Sequence, residues 1–190
     1  MNDLHVKFIT MLCFLLAFHL AEYLIHKYLH PTKTTAADIL LTKKYITIYF
    51  VLFLISHIQW KYYDSLLTKY AFFTDLTGYS LIIIGIIVRI IAIMQLKRNY
   101  LHSINCRKYS YNSLVTNGIY SLIRHPCYSG FMLIHIGIMV YLQNIIGVLF
   151  FIVFLNIFFH KRILFEERML CKVFPNEYEK YKSRVWLSVL

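Results

Sequence analysis

Two short basic stretches hold the residues best suited to chemistry. The first is Arg124-His125-Pro126-Cys127-Tyr128, which follows the Asn117-Gly118 turn signal. Pro126 can open a helix because its missing N–H would be unpaired there. Arg124 and His125 would then stand at the helix mouth, where free N–H groups and partial positive charge suit a carboxylate, such as the amino-acid end of a cofactor. The second stretch is Lys161-Arg162-Ile163-Leu164-Phe165-Glu166-Glu167-Arg168. Arg162 and Glu166 are four residues apart and share a helix face. That places a guanidinium for one ligand beside a carboxylate for another. Position alone leaves both open: Arg124 and Tyr128 would serve equally as anchors at a membrane boundary, and Arg162 with Glu166 as a solvated, salt-bridged helix end.

A second group of polar residues lies inside apolar runs. Arg89 interrupts the long run Leu81–Met94, and His19 and Glu22 lie in the first run. An ionisable group at such depth is costly, so it snorkels to the boundary or faces a polar interior. Three such residues in one small bundle point to an internal cavity. Cys13, Cys106, Cys127 and Cys171 contain no C-x-x-C pair, so neither a metal cluster nor a thioredoxin-like motif is expected. The sequence has no G-x-G-x-x-G, Walker A, G-x-S-x-G or H-E-x-x-H motif.

The elements that must position these groups are membrane helices. Of 190 residues, 59% are apolar, above the roughly 45–50% of an ordinary soluble domain, and the excess sits in blocks. We expect an all-α polytopic membrane protein forming one domain over 1–190, with about five spans near 4–27, 45–60, 79–96, 128–142 and 145–159. The first run lacks a small-residue cleavage site and reads as a retained span. The last two spans are short and separated only by Gln143-Asn144, a tight hairpin. The net charge of +11 is explained by basic loops; no nucleic-acid-binding motif accompanies it. Loops one and three and the C-terminus carry the Lys/Arg excess, so they face the cytosol, with the N-terminus and the hairpin tip opposite. Residues 97–126 and 160–190 thus flank one hairpin on one side of the membrane, and a cytosolic cofactor pocket is expected where they meet. In the tail, Phe174, Tyr178, Tyr181 and Val185 follow helical spacing. That face would lie on the membrane surface or cover the pocket.

Taken together, these segments resemble the isoprenylcysteine carboxyl methyltransferase family across nearly the whole chain. Phe18-His19-Leu20-Ala21-Glu22-Tyr23 is similar to its F-H-x-x-E-Y, Gly85 with Arg89 to its G-x-x-x-R, and Asn99 with His102 to its N-F-x-H. The resemblance continues through Leu114-Val115-Thr116, Gly118 and Tyr120, the R-H-P-x-Y-x-G of Arg124–Gly130, Arg162 with Glu166-Glu167, and Glu177–Val185. Related membrane methyltransferases and reductases share the R-H-P and E-E pieces. The early F-H-x-x-E-Y narrows the substrate to prenylcysteine. Asn112 stands where a histidine is usual, Asn105 where a glutamine is common, and the closing I-P is absent. The chain is also expected to lack the extra N-terminal spans of larger members.

The resemblance implies an enzyme that moves a methyl group from S-adenosylmethionine to the C-terminal carboxylate of prenylated proteins, at the endoplasmic reticulum membrane with its site towards the cytosol. The cofactor would draw on Asn105, Asn112, Ser113, Leu114, Val115, Tyr120, His125, Pro126, Cys127, Tyr128 and Glu166. Arg162, with Glu166 as its catalytic companion, would meet the substrate carboxylate, supported by Arg89 and Arg124. No metal is expected, and the oligomeric state is open. A phospholipid N-methyltransferase of similar build and a non-catalytic lipid-binding membrane protein are the alternatives.

Overall fold

Four glycines decide how closely the central helices approach. A Cβ on Gly130 would sit 2.7 Å from the Gly85 carbonyl oxygen, and one on Gly137 would sit 2.9 Å from that of Gly78. The glycines lie seven residues apart on each helix, so two turns separate the contacts, and the helices run antiparallel. Between apolar helices in lipid, burial gains little hydrophobic free energy, so close backbone approach and interhelical hydrogen bonds carry the association.

The computed structural model describes residues 3–29, 51–52, 54–55, 58–59, 69–96 and 113–189. Its helices are α1 (Asp3–Leu29), α2 (Ala71–Leu96), α3 (Pro126–Tyr141), α4 (Ile145–Val173) and α5 (Pro175–Arg184), with a 3-10 turn at Gly118–Ser121. Residues 51–52, 54–55 and 58–59 are helical and lie in the expected second span, the rest of which is outside the described residues. No strand occurs among the described residues.

Among the described residues, three helices are long and apolar enough to cross a membrane: α1 over His5–Ile25, α2 and α4. The sixteen residues of α3 rise about 24 Å, less than the roughly 30 Å hydrocarbon core. Twelve of those sixteen are buried, so α3 is the inner helix of the bundle. Ile134 and Ile138 of α3 pack with Met11 and Leu15 of α1, Ile82 of α2, and Phe151 and Leu155 of α4. The outer face of α2 carries exposed Phe72, Leu76, Ile83, Ile87, Ile90 and Met94, as a lipid-facing surface should.

One boundary differs from the sequence reading. The third span begins at Ala71, not near Tyr79, and takes in Asp75, expected in a loop. Its charge is answered by Lys7 of α1, 2.5 Å away, so the helix can continue through it. The hairpin tip is as expected and fully engaged. Gln143 adopts φ 53° and donates to the Thr74 hydroxyl at 2.7 Å. Asn144 caps α4 by accepting the Gly147 N–H at 2.6 Å and donates to the Leu52 carbonyl. At the other end α4 runs past the apolar stretch without a break, turns at Phe174 and folds back as α5.

Candidate active site

The site is assembled at the end of the bundle where α3 begins and α4 leaves its apolar stretch. Gly118, at φ 58°, makes a turn that ordinary residues resist, and Gln95 of α2 lies where its Cβ would be. The neighbouring Ile119 N–H donates to Gln95 Oε1 at 3.2 Å. Tyr120 is buried against Ala92 and Ile93 at the end of α2, with its hydroxyl 3.7 Å from Cys127 Sγ. Burial pushes this phenol well above its usual range. The 113–121 segment is thereby docked beside the start of α3.

The C-terminal tail closes the other side. The backbone N–H groups of Arg124 and His125 donate to the carbonyls of Leu187 and Ser188 at 3.0 and 2.9 Å. The Tyr128 N–H turns back to His125 O. The helix mouth, expected to offer these groups to an anion, spends them on the protein's own backbone. The apolar face of α5 packs on the protein and not outwards: Tyr178, Tyr181 and Val185 are buried with Leu114, Leu170 and Phe174. Tyr181 donates to Tyr120 O at 2.7 Å, and burial pushes its hydroxyl up to about 12, so it remains a donor at neutral pH.

Between these parts lies a cleft open to solvent. Ser113, Leu114 and Val115 form one wall, and Tyr120, Arg124, His125, Cys127 and Tyr128 form the next. Glu166 and Leu170 of α4 face them, with Tyr178 and Tyr181 of α5 and Leu96 of α2 completing it. At its edge Tyr128 joins the two basic stretches. Its hydroxyl donates to Glu166 Oε2 at 2.7 Å and accepts from Arg162 Nε at 2.8 Å. The Tyr128 ring stacks on the His125 ring and on the Phe159 ring, with the Arg162 guanidinium 5.2 Å from its centre. His125 Nδ1 lies 3.7 Å from Glu166 Oε2. Glu166 keeps about a third of its side chain exposed, a carboxylate available to the cleft.

Most of the expected site residues therefore meet. Ser113, Leu114, Val115, Tyr120, His125, Cys127, Tyr128 and Glu166 line one cleft. Arg162 reaches it through Tyr128, and Pro126 is buried as the first residue of α3. Asn105 and Asn112 lie outside the described residues. For Arg124 and Arg89, expected near a substrate carboxylate, the structure gives protein partners. Arg124 pairs with Glu167 Oε1 at 3.0 Å and donates to the Val185 and Trp186 carbonyls. Arg89 sits in the bundle, paired with Glu22 and donating to the Cys127 carbonyl.

Glu167 is the residue the sequence reading undervalued. Its buried carboxylate receives Arg124, Lys182 at 2.7 Å and His125 Nε2 at 3.4 Å. Beyond residue 160 α4 has left its apolar stretch. There burial favours the protonated acid, but the His125 and Lys182 hydrogen bonds and the Arg124 charge outweigh it and hold this carboxyl below the usual range. The adjacent acids divide the work, since consecutive helix residues point about 100° apart: Glu166 faces the cleft, and Glu167 ties α3, α4, α5 and the tail together. The doublet itself was the available signal.

Comparison with known proteins bears on what this arrangement is. Residues 78–172, which include α2 from Gly78 and both halves of the Tyr128 bridge, match the model of the isoprenylcysteine carboxyl methyltransferase family. A probable protein-S-isoprenylcysteine O-methyltransferase of Oryza sativa subsp. indica is 32% identical over 90% of this chain and 89% of its own length. This chain belongs to the isoprenylcysteine carboxyl methyltransferase family. Protein-S-isoprenylcysteine O-methyltransferase B of Arabidopsis thaliana is 33% identical, over 88% of this chain and 85% of its own. The Saccharomyces cerevisiae enzyme is 32% identical over 90% and 74%. A solved structure of the eukaryotic intramembrane Ras methyltransferase of this family superposes with a TM-score of 0.78 at 26% identity, over 89% of this chain. The match spans 61% of that longer chain. Family membership and the apolar helices together make this an integral membrane protein of all-helical fold.

Proposed function

We propose that this chain methylates the C-terminal carboxylate of a prenylated cysteine, with S-adenosylmethionine as methyl donor and a methyl ester as product. The observation that carries the reading is the Arg162–Tyr128–Glu166 bridge, which sets a guanidinium and a carboxylate side by side at the edge of one cleft. Relatives named as protein-S-isoprenylcysteine O-methyltransferases support the substrate class.

The cleft fits such a donor. Glu166 offers an acceptor to an ammonium group, and Leu96, Val115 and Leu170 offer apolar wall to a flat base. We assign donor binding to Ser113, Leu114, Val115, Tyr120, His125, Cys127, Tyr128 and Glu166. Pro126 sets the start of the helix that carries two of them, Cys127 and Tyr128. Asn105 and Asn112 belong to the same proposal, and so does the division into binding portions 97–126 and 160–190 within one domain. When bound, S-adenosylmethionine supplies a methyl group on a positively charged sulfur.

The protein's own task is then placement. A terminal carboxyl has a pKa of about 3.3–3.7 and is already anionic at neutral pH, so no general base is required. Arg162 would orient that carboxylate with a charge-assisted hydrogen bond. Its Nε is already given to Tyr128, which fixes the plane of the guanidinium before substrate arrives. Holding reactants about 3–3.5 Å apart supplies much of the rate enhancement in reactions of this kind. Arg124 supports the site from behind through Glu167. The prenyl chain gains about 0.8 kcal/mol per buried CH₂ in lipid, so a cleft at the end of the apolar part of α4 serves both a lipid-bound acceptor and a water-borne donor. The Lys/Arg excess beyond His160 supports a cytosolic placement of this end, and we propose residence in the endoplasmic reticulum membrane.

The test is Arg162→Ala and Glu166→Ala in isolated membranes. Both should keep the protein while lowering methylation of a farnesylcysteine analogue by about 100-fold or more, the scale expected when a reactant is misplaced by about 1 Å. Activity within twofold of the parent in both would refute the assigned roles.

A further inference from the structure

Two helical motifs remain without a role in the cleft: Phe18 with Glu22 on α1, and Gly85 with Arg89 on α2. Each pair is four residues apart and shares a face. In the structure they interlock. Glu22 and Arg89 are both buried and form an ion pair. The Arg89 guanidinium centre lies 6.0 Å from the Phe18 ring centre and 5.3 Å from that of Phe131 on α3. A second arm, Nη1, donates to the Cys127 carbonyl at 2.6 Å. The reach exists because Gly85 and Gly130 bring the α2 and α3 backbones together: a Cβ on Gly130 would meet Arg89 Cβ at 2.9 Å.

The accepting carbonyl is in the first turn of α3. Cys127 lines the cleft, and its neighbour Tyr128 carries the bridge to Arg162 and Glu166. Other anchors near this turn are the tail carbonyls that accept from the Arg124 and His125 N–H groups and the Tyr120 hydroxyl beside Cys127 Sγ. We propose that Glu22 and Arg89 are positioning residues: α1 and α2 together fix the first turn of α3, and with it the placement of Cys127 and Tyr128 at the cleft. Neither side chain touches the reactants in this role. Glu22 holds the fork of Arg89 so that its other arm stays on the Cys127 carbonyl. The proposal goes beyond the functional reading and depends on it only for its kinetic arm.

Lys7–Asp75 supplies the control. It joins the same two helices, α1 and α2, but at the opposite end of the bundle. The experiment measures the rate at which a water-soluble maleimide modifies Cys127 in full-length protein in nanodiscs, with Cys13, Cys106 and Cys171 replaced by serine. Arg89→Met should raise that rate at least fivefold over the parent, and Lys7→Met should leave it within twofold. Arg89→Lys keeps the charge facing Glu22 but lacks the second arm. It should keep the parent melting temperature and still raise the rate at least threefold, and it carries the test alone if Arg89→Met does not accumulate. In the parent cysteine background, Arg89→Lys should lower kcat for a farnesylcysteine analogue more than it raises the KM for that analogue, because Tyr128, which sets Arg162 and Glu166 at the cleft, is displaced. A parent labelling rate in Arg89→Lys would overturn the proposal, as would Lys7→Met labelled as fast as the Arg89 variants. If the parent proves to methylate nothing, the functional reading fails while the labelling arm still decides the positioning role.

Discussion

The two ends of the helix bundle both carry polar clusters, and they differ in what those clusters face. At the hairpin-tip end, Lys7 meets Asp75, Tyr79 meets Tyr141, Gln143 meets Thr74, and Asn144 serves a helix start and the Leu52 carbonyl. These groups answer one another and lock α1, α2 and α3 to the tip. At the other end, the carboxylate of Glu167 is likewise consumed internally. Its neighbour Glu166 instead stands beside Tyr128, His125 and Arg162 with part of its surface open to a cleft. A polar cluster that closes on itself holds helices together. One that leaves a charged group facing a cavity can hold something else.

The sharpest way to break that contrast is to remove one carboxylate from each end. Glu166→Ala should cut methyl transfer by about 100-fold, the scale of a misplaced reactant, with little change in melting temperature. Asp75→Ala should do the reverse: turnover within twofold and a lower melting temperature, because the buried Lys7 ammonium loses its ion pair. Radiolabelled methyl transfer and a thermal melt on the same preparations decide it. Equal loss of turnover in both would erase the distinction between the ends.

The paired glycines give a comparison along one interface. Gly130→Ala and Gly137→Ala each force a Cβ against the facing backbone carbonyl, at 2.7 and 2.9 Å. Overpacking of this sort costs about 1–3 kcal/mol, so both should accumulate less protein. Only Gly130→Ala, which also presses on Arg89, should weaken S-adenosylhomocysteine binding, by about tenfold in equilibrium titration. Glu167→Gln comes next. Removing the charge that faces a buried Arg124 should destabilise the protein by about 3 kcal/mol and loosen the tail, read as faster proteolysis at the C-terminus. The smallest effect belongs to the tip. Gln143 holds a left-handed backbone, so Gln143→Gly relieves strain while losing the Thr74 bond, and the melting temperature should stay within a degree or two.

Much of this was legible in the sequence, for identifiable reasons. Length and apolarity marked the spans, and Gln143-Asn144 marked the hairpin. The R-H-P-x-Y-x-G run and the Arg162/Glu166 spacing marked the two halves of the cleft. The start of α2 was not legible, because Asp75 looks like a loop residue until Lys7 is seen beside it, sixty-eight residues away. For the same reason Arg124 resembled a free anion-binding group: its partners, Glu167 and the Val185–Trp186 backbone, are distant in sequence. The spacing of Tyr178 and Tyr181 showed a helix face but not what it covers. Only folding reveals Tyr120 and Leu114 beneath it.

The central claim is that the open end of the bundle joins a carboxylate acceptor to a methyl donor. Its most direct test is the identity of the product when purified parent protein is given labelled S-adenosylmethionine with a farnesylcysteine analogue and an aminophospholipid in one vesicle. The label should be found in a base-labile ester of the farnesylcysteine carboxylate. Label in the phospholipid, or in neither, would contradict the account.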